Sequence, residues 1–466
     1  MVVEHQAVHF TNVHFENCCL YVKAGASAKL TDTHFTMSED SSVGVSLLLV
    51  GGNVNISHCT IKGGCHGVYM TGEGSSMHAE HLTCIEVYRS LELTSHATLT
   101  LERSSMHGQT LEGGMAVALM ALGCQCSIED STISANAGML VCGGGLKMRR
   151  CSVQQCLSHG LVLLGSDALL HDIDIVGCGI GLALSNTACS AAVSFCRFEG
   201  NTSSDATVVR QAHVHLDRCV FGVQTSVGIA VCEGGEATVK QCTIRRNSSD
   251  ALHTVEGPAN GLVGVSNGCL NVQDSEMSTY CQCVSVSGSA AHVLLERCSM
   301  HSSDGCAVII SNNCTCTVLD SNVEGEMFSC SVVGGASLTM HDSRLHGALG
   351  GVTARAGGCL KLHDCNVRGG QEALVVHGLG TTTEVTGGTV HGGTCGSRVS
   401  NGAVLEMSGL HACGNGVSFL SAHRAVGRLH ACVSDNAAAC AYMRLHGGQL
   451  FTSGCVPDDK SLPECV

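Results

Sequence analysis

The chain has 466 residues, 44% of them hydrophobic, and 24 Lys and Arg stand against 39 Asp and Glu, a formal charge of −15. No basic block is longer than Arg149-Arg150 or Arg245-Arg246 and there is no Trp, which excludes the clustered cations of a nucleic-acid groove. Apolar runs are short and broken by Gly, which excludes a membrane-spanning segment.

The opening residues MVVEHQAVHF carry neither a charged n-region nor an apolar h-region, so they do not read as a signal peptide. They lead straight into a short phrase, Phe10 to Phe15: apolar, two polar, one small residue, one polar, apolar. Taking the small residue as an index, the phrase recurs at Thr33, Cys59 and Leu82, and onward to Ser408 and Ala431. That is 19 copies over 418 residues, a spacing of 418/18, or about 23. Two positions after the index every copy is apolar, and three before it all but Arg428 are. A fixed period of this length marks stacked repeats.

Within each copy the apolar residues alternate at period two in short runs, which predicts strands and no helix. The first strand ends three residues before the index, as at Val239. A two-residue corner follows, here Lys240-Gln241. The second strand carries the index and the next apolar residue, Cys242 and Ile244. A variable loop leads to a third strand announced by Gly or Ala, as at Gly160-Leu161, Gly181-Leu182 and Gly228-Ile229. One interval, Cys242 to Ser275, is long and carries Pro258; the other two prolines, Pro457 and Pro463, fall in the closing segment. The expectation is an all-β, right-handed, single-stranded parallel β-helix of about 19 coils over residues 1–450, with a tail or cap over 451–466.

The phrase resembles the repeat of right-handed parallel β-helix proteins of the pectin-lyase-like superfamily. That resemblance implies a fold and leaves activity open. In the family the index position is typically an inward Asn ladder. Here it is Cys in seven copies (Cys59, Cys151, Cys196, Cys219, Cys242, Cys298, Cys365) and Ser in six. A position that exchanges Cys for Ser predicts free thiols, and the 32 cysteines then point to a reducing, cytoplasmic compartment.

Polysaccharide-cleaving members place Asp, Arg or Lys on the outer face of one sheet. The matching third strands here read Leu161-Val162-Leu163, Leu182-Ala183-Leu184 and Val308-Ile309-Ile310, with Glu92 a rare acid among them. No catalytic residue, cofactor or metal centre is therefore assigned. Acids gather instead at the corner. The residue before the index runs Arg103, Asp130, Arg150, Asp172, alternating in sign, and later Asp320, Asp342, Asp364, three like charges beside His341, His363 and Arg344. Stacked like charges cost stability unless neutralised, so this column is the one candidate cation site. The Cys-x-Cys pairs, such as Cys124/Cys126, lack zinc-ligand spacing and read as core. The functional expectation is a non-enzymatic elongated scaffold or protein-binding rod within a larger, cytoskeletal assembly. Its interaction face would be the third-strand column of Val162, Ala183, Ala230 and Ile309. The alternative is a carbohydrate-binding or polysaccharide-cleaving β-helix.

Overall fold

The computed structural model describes residues 1–38, 44–110, 114–119, 123–223, 227–246, 261–435 and 440–456. The insertion around Pro258, and Pro457 and Pro463, lie outside them. The chain is all-β, a right-handed parallel β-helix of about 18 turns roughly 23 residues apart. Its contacts group it into two compact units, Met1–Thr225 and Ser226–Val466, each built from the same coil.

Every coil gives one strand to each of three ladders. The alternation of apolar with mostly polar residues, as in Thr98–Glu102 and His213–Asp217, puts one face of each strand inward, and stacking coils bury what a single coil exposes. In the first unit Thr98–Glu102 pairs in register with Gln125–Glu129, and Phe198 lies directly over Phe221 with ring centroids 4.7 Å apart. In the second unit Thr315–Leu319 pairs with Ser337–His341, and Asn322–Gly325 with Arg344–Gly347. The third ladder is separate, for instance Val284 beside Val308 and Val308 beside Cys330.

The corner between the first and second strands has one backbone solution throughout. The residue before the index is left-handed in coil after coil, with φ from 46° at Arg103 and Asp320 to 65° at Gly387. This turn lets the index side chain point inward and cap the carbonyl two residues back. Ser104 Oγ donates to Glu102 O at 2.8 Å, Ser321 Oγ to Leu319 O at 2.7 Å, and Cys365 Sγ to His363 O at 3.3 Å. The serine oxygens also accept the index amide of the preceding coil. Cys242 N donates to Ser275 Oγ at 3.1 Å and Cys298 N to Ser321 Oγ at 3.1 Å. The ladder accepts Cys or Ser because both are small and both carry a donor.

The conformation corrects the register of the last copies. The left-handed residues there are Gly409 and Ala431, so the index positions are Leu410 and Cys432, not Ser408 and Ala431. Cys432 Sγ caps His430 O at 3.5 Å. With this shift the apolar residue three before the index is Leu429, and Arg428 becomes an outward side chain. The inward partner two after it is Ser434, which is buried against Ser418 Oγ at 2.6 Å. The helix also runs past residue 450. Gln449–Ser453 pairs with Val426–His430, and Cys455 caps Ser453 O at 3.7 Å.

A second small-residue column stands where the third strand turns into the next first strand. From Ala26 to Gly448 that position is Gly, Ala, Ser, Thr or Cys. A Cβ added at Gly52 or Gly144 would come within 2.8–2.9 Å of the carbonyl of Lys23 or Cys124. Where a donor is present it caps the corner: Ser166 Oγ reaches Val141 O and Leu164 O, both at 3.0 Å.

Candidate functional sites

The acidic column is made by the corner. Asp320, Asp342 and Asp364 have φ of 46°, 51° and 51°, and Asp is among the few residues enriched in that conformation. Their placement therefore follows from backbone geometry, one carboxylate per coil. His341 and His363 stack beside them with centroids 4.6 Å apart. Among the described residues no three His, Cys, Asp or Glu side chains come close enough together to hold a metal ion. Arg344, the expected neutralising partner, forms no ion pair with them among the described residues.

The alternating column behaves differently. Arg150 holds Asp130 with two bonds, Nε–Oδ1 at 2.7 Å and a second at 2.8 Å, and this pairing lowers the Asp130 carboxyl pKa. Arg103 turns to Glu80 and Glu102 instead. Arg297 repeats the two-bond arrangement on Asp274 at 2.6 and 3.2 Å. These exposed pairs fix register and contribute little each.

The expected interaction column is formed within each unit. Val162 stands directly beside Ala183 in the first. In the second, Ala230, Gly264, Ser285 and Ile309 follow one another across neighbouring strands. Val162, Ala183, Ala230 and Ile309 are all half-buried. Charged groups interrupt the face at two places among the described residues. Glu92 is 8% exposed and binds both Arg89 Nη1 and His66 Nε2 at 2.9 Å. Arg398 Nη1 binds Glu372 Oε1 at 2.9 Å.

One feature escaped the sequence. On the outer face of the first ladder in the second unit, Glu384, Glu406, Arg428, His430 and Phe451 line an open cleft of about 530 Å³. Arg428 bonds Glu406 at 2.5 Å, Lys361 reaches Glu384 at 3.6 Å, and His430 Nδ1 meets Ser453 Oγ at 2.9 Å. Its aromatic wall was hidden because Phe451 falls in the segment expected to be tail.

The one carboxyl among the described residues pushed upward is Asp205, to about 7, through burial, with a hydrogen bond from Asn201 pulling the other way. Asp205 is 2% exposed and lies 2.7 Å from Asn201 Nδ2. Asn201 in turn accepts the amide of Cys178 at 2.9 Å.

A family described as a right-handed β-helix region matches residues 116–275. No curated protein matches the sequence. Among solved structures, the catalytic unit of the GH87 alpha-1,3-glucanase from Streptomyces thermodiastaticus is 13% identical, with 88% of this chain and 64% of that one covered and a TM-score of 0.17. The chain thus spans less than two thirds of that catalytic unit. The alginate lyase AlyGC is 7% identical, with 100% and 95% covered and a TM-score of 0.21. The A-module of mannuronan C-5 epimerase AlgE4 from Azotobacter vinelandii is 9% identical, with 96% and 91% covered and a TM-score of 0.18.

Proposed function

We propose that this β-helix is a non-catalytic scaffold that binds a protein partner through its outer faces. The observation that carries this reading is where the shifted carboxyl sits. Acid–base cleavage of a polymer needs two groups in a cleft whose environments separate their pKa values. Here the upward-shifted acid, Asp205, is inside the core, bonded to Asn201. The carboxylates Glu92, Glu372 and Glu406 on the outward columns are each tied to an arginine, an arrangement that suits structure better than proton transfer. Incubation with pectate, alginate and other uronans, with and without Ca²⁺, should release neither unsaturated products nor reducing ends. Turnover lost on Glu92→Gln, Glu384→Gln or Glu406→Gln would replace the scaffold by an enzyme.

The Phe451 cleft favours a second reading, binding of a saccharide without cleavage. An exposed aromatic beside carboxylates and an arginine suits a sugar ring and its hydroxyls. Titration calorimetry with uronate and neutral oligosaccharides tests it: saturable heat abolished by Phe451→Ala supports it, and no heat removes it.

A further inference from the structure

The first unit carries a patch that neither ladder geometry nor core packing explains. Its centre is Phe195, the one Phe or Tyr at a left-handed corner among the described residues, with φ of 55° and 47% exposure. A bulky side chain is disfavoured in that backbone region, and this one faces water instead of the core. Two neighbours grip the ring. His171 packs edge-on at 5.3 Å, and the Arg218 guanidinium lies 5.2 Å from the centroid. Leu169 and Val220 extend the apolar surface, both exposed.

The border is cationic. Lys147 lies beside Leu169 and Arg149 beside His171 on the neighbouring strand, both exposed and neither in an ion pair among the described residues. The acids nearby include Asp167, Asp172 and Asp217, with Glu129 beside Arg149 on the next strand but held, like Asp130, by Arg150. Asp167 accepts a bond from Ser190 at 2.5 Å and Asp217 lies 3.9 Å from Arg218. Arg197 is already held by Asp174 and Glu199, both at 2.8 Å. In a chain of net charge −15, Lys147 and Arg149 give this apolar centre one edge of cations outside any ion pair among the described residues. Interfaces place such aromatic anchors at the centre and charges at the rim.

We infer that the Phe195 patch docks an acidic peptide segment carrying one or two large apolar side chains. The inference rests on the scaffold reading and names its partner class. The experiment uses the full chain and fluorescein-labelled heptapeptides: one alternating Glu with Phe and Leu, one with Lys replacing Glu, one of Glu alone. Anisotropy should show saturable binding of the first, at least tenfold weaker binding of the other two, and weakening as salt rises. Phe195→Gly relieves the backbone conformation, so it should raise the melting temperature while lowering affinity at least tenfold, which separates docking from misfolding. Arg149→Glu should likewise lose tenfold, and Leu379→Ser, exposed on the other unit, should change nothing. Equal binding of the three peptides, or of a single-stranded oligonucleotide, overturns the proposal, as does indifference to Phe195→Gly. Phe195-dependent dimerisation in sedimentation would assign the patch to a second copy and overturn it too. Failure of peptide binding with uronans left intact sinks the patch and leaves the scaffold; uronan turnover sinks the scaffold.

Discussion

Asp205 shows how one residue can set a pH dependence for the first unit. It occupies the small-residue position of the third strand that is Gly160 and Gly181 in the two coils before it. Its side chain is buried among the core, and that burial pushes its pKa to about 7. A free carboxyl titrates near 3.9. The folded state therefore holds its proton between these values while the unfolded chain gives it up. The contribution of Asp205 to stability is greatest below about pH 4, declines as pH rises to about 7, and is flat above, a difference of at most ~4 kcal/mol. Asp205→Asn should remove that decline, gaining stability at pH 8 and little at pH 4. Urea midpoints across the range check it; an unchanged slope in the variant would remove Asp205 as its source.

At the scale of the coil, the index ladder is held by pairs of hydrogen bonds, and its mutations should sort by donor, not by size. Ser321 Oγ accepts from Cys298 N and donates to Leu319 O. Ser321→Ala leaves the buried Cys298 amide unpaired, while Leu319 O keeps the Arg297 amide at 3.0 Å, and should cost about 2 kcal/mol. Cys298→Ser keeps a donor and should cost less than about 1 kcal/mol; equal losses would sink the capping account. Thiol chemistry follows from the same burial. Desolvation pushes Cys298 to about 11 and Cys84 and Cys283 to about 12, so almost no thiolate exists at pH 8. Iodoacetamide should label exposed Cys65 quickly and these three only after denaturation; rapid native labelling would contradict the packing. The strands and period were legible because apolar alternation is written at every coil. The corner was not, since Asp320, Asp342 and Asp364 serve a left-handed turn as readily as a ligand set, and sequence does not separate the two. The last two copies slipped because Ser408 and Ala431 are as small as a true index residue, and only the φ at Gly409 and Ala431 decides. The Phe451 cleft was lost with the boundary placed at 450.

For the molecule as a whole, the interactions that matter run from each coil to its two neighbours, and this makes a test by deletion. Removing residues 299–321 joins Cys298 to Asn322, so one index residue is followed by the position after the next index. The strands on either side then meet partners of the same kind: His292–Glu296 would face Ser337–His341 as it now faces Thr315–Leu319. The inward columns stay inward and the corner keeps one left-handed residue, Arg297, in place of two. Removing 299–309, about half a coil, brings first-strand residues into third-strand positions and turns apolar side chains outward, because the side-chain period in a strand is two. In a stack with nearest-neighbour coupling, losing one unit subtracts one coil and one interface and leaves the others intact. The 23-residue deletion should therefore keep the β-sheet circular dichroism and a cooperative melt, displaced by a few degrees. The half-coil deletion should give a chain that loses the melt or aggregates. If both deletions unfold alike, long-range contacts beyond the adjacent coil hold the second unit together, and additive stacking fails for this protein.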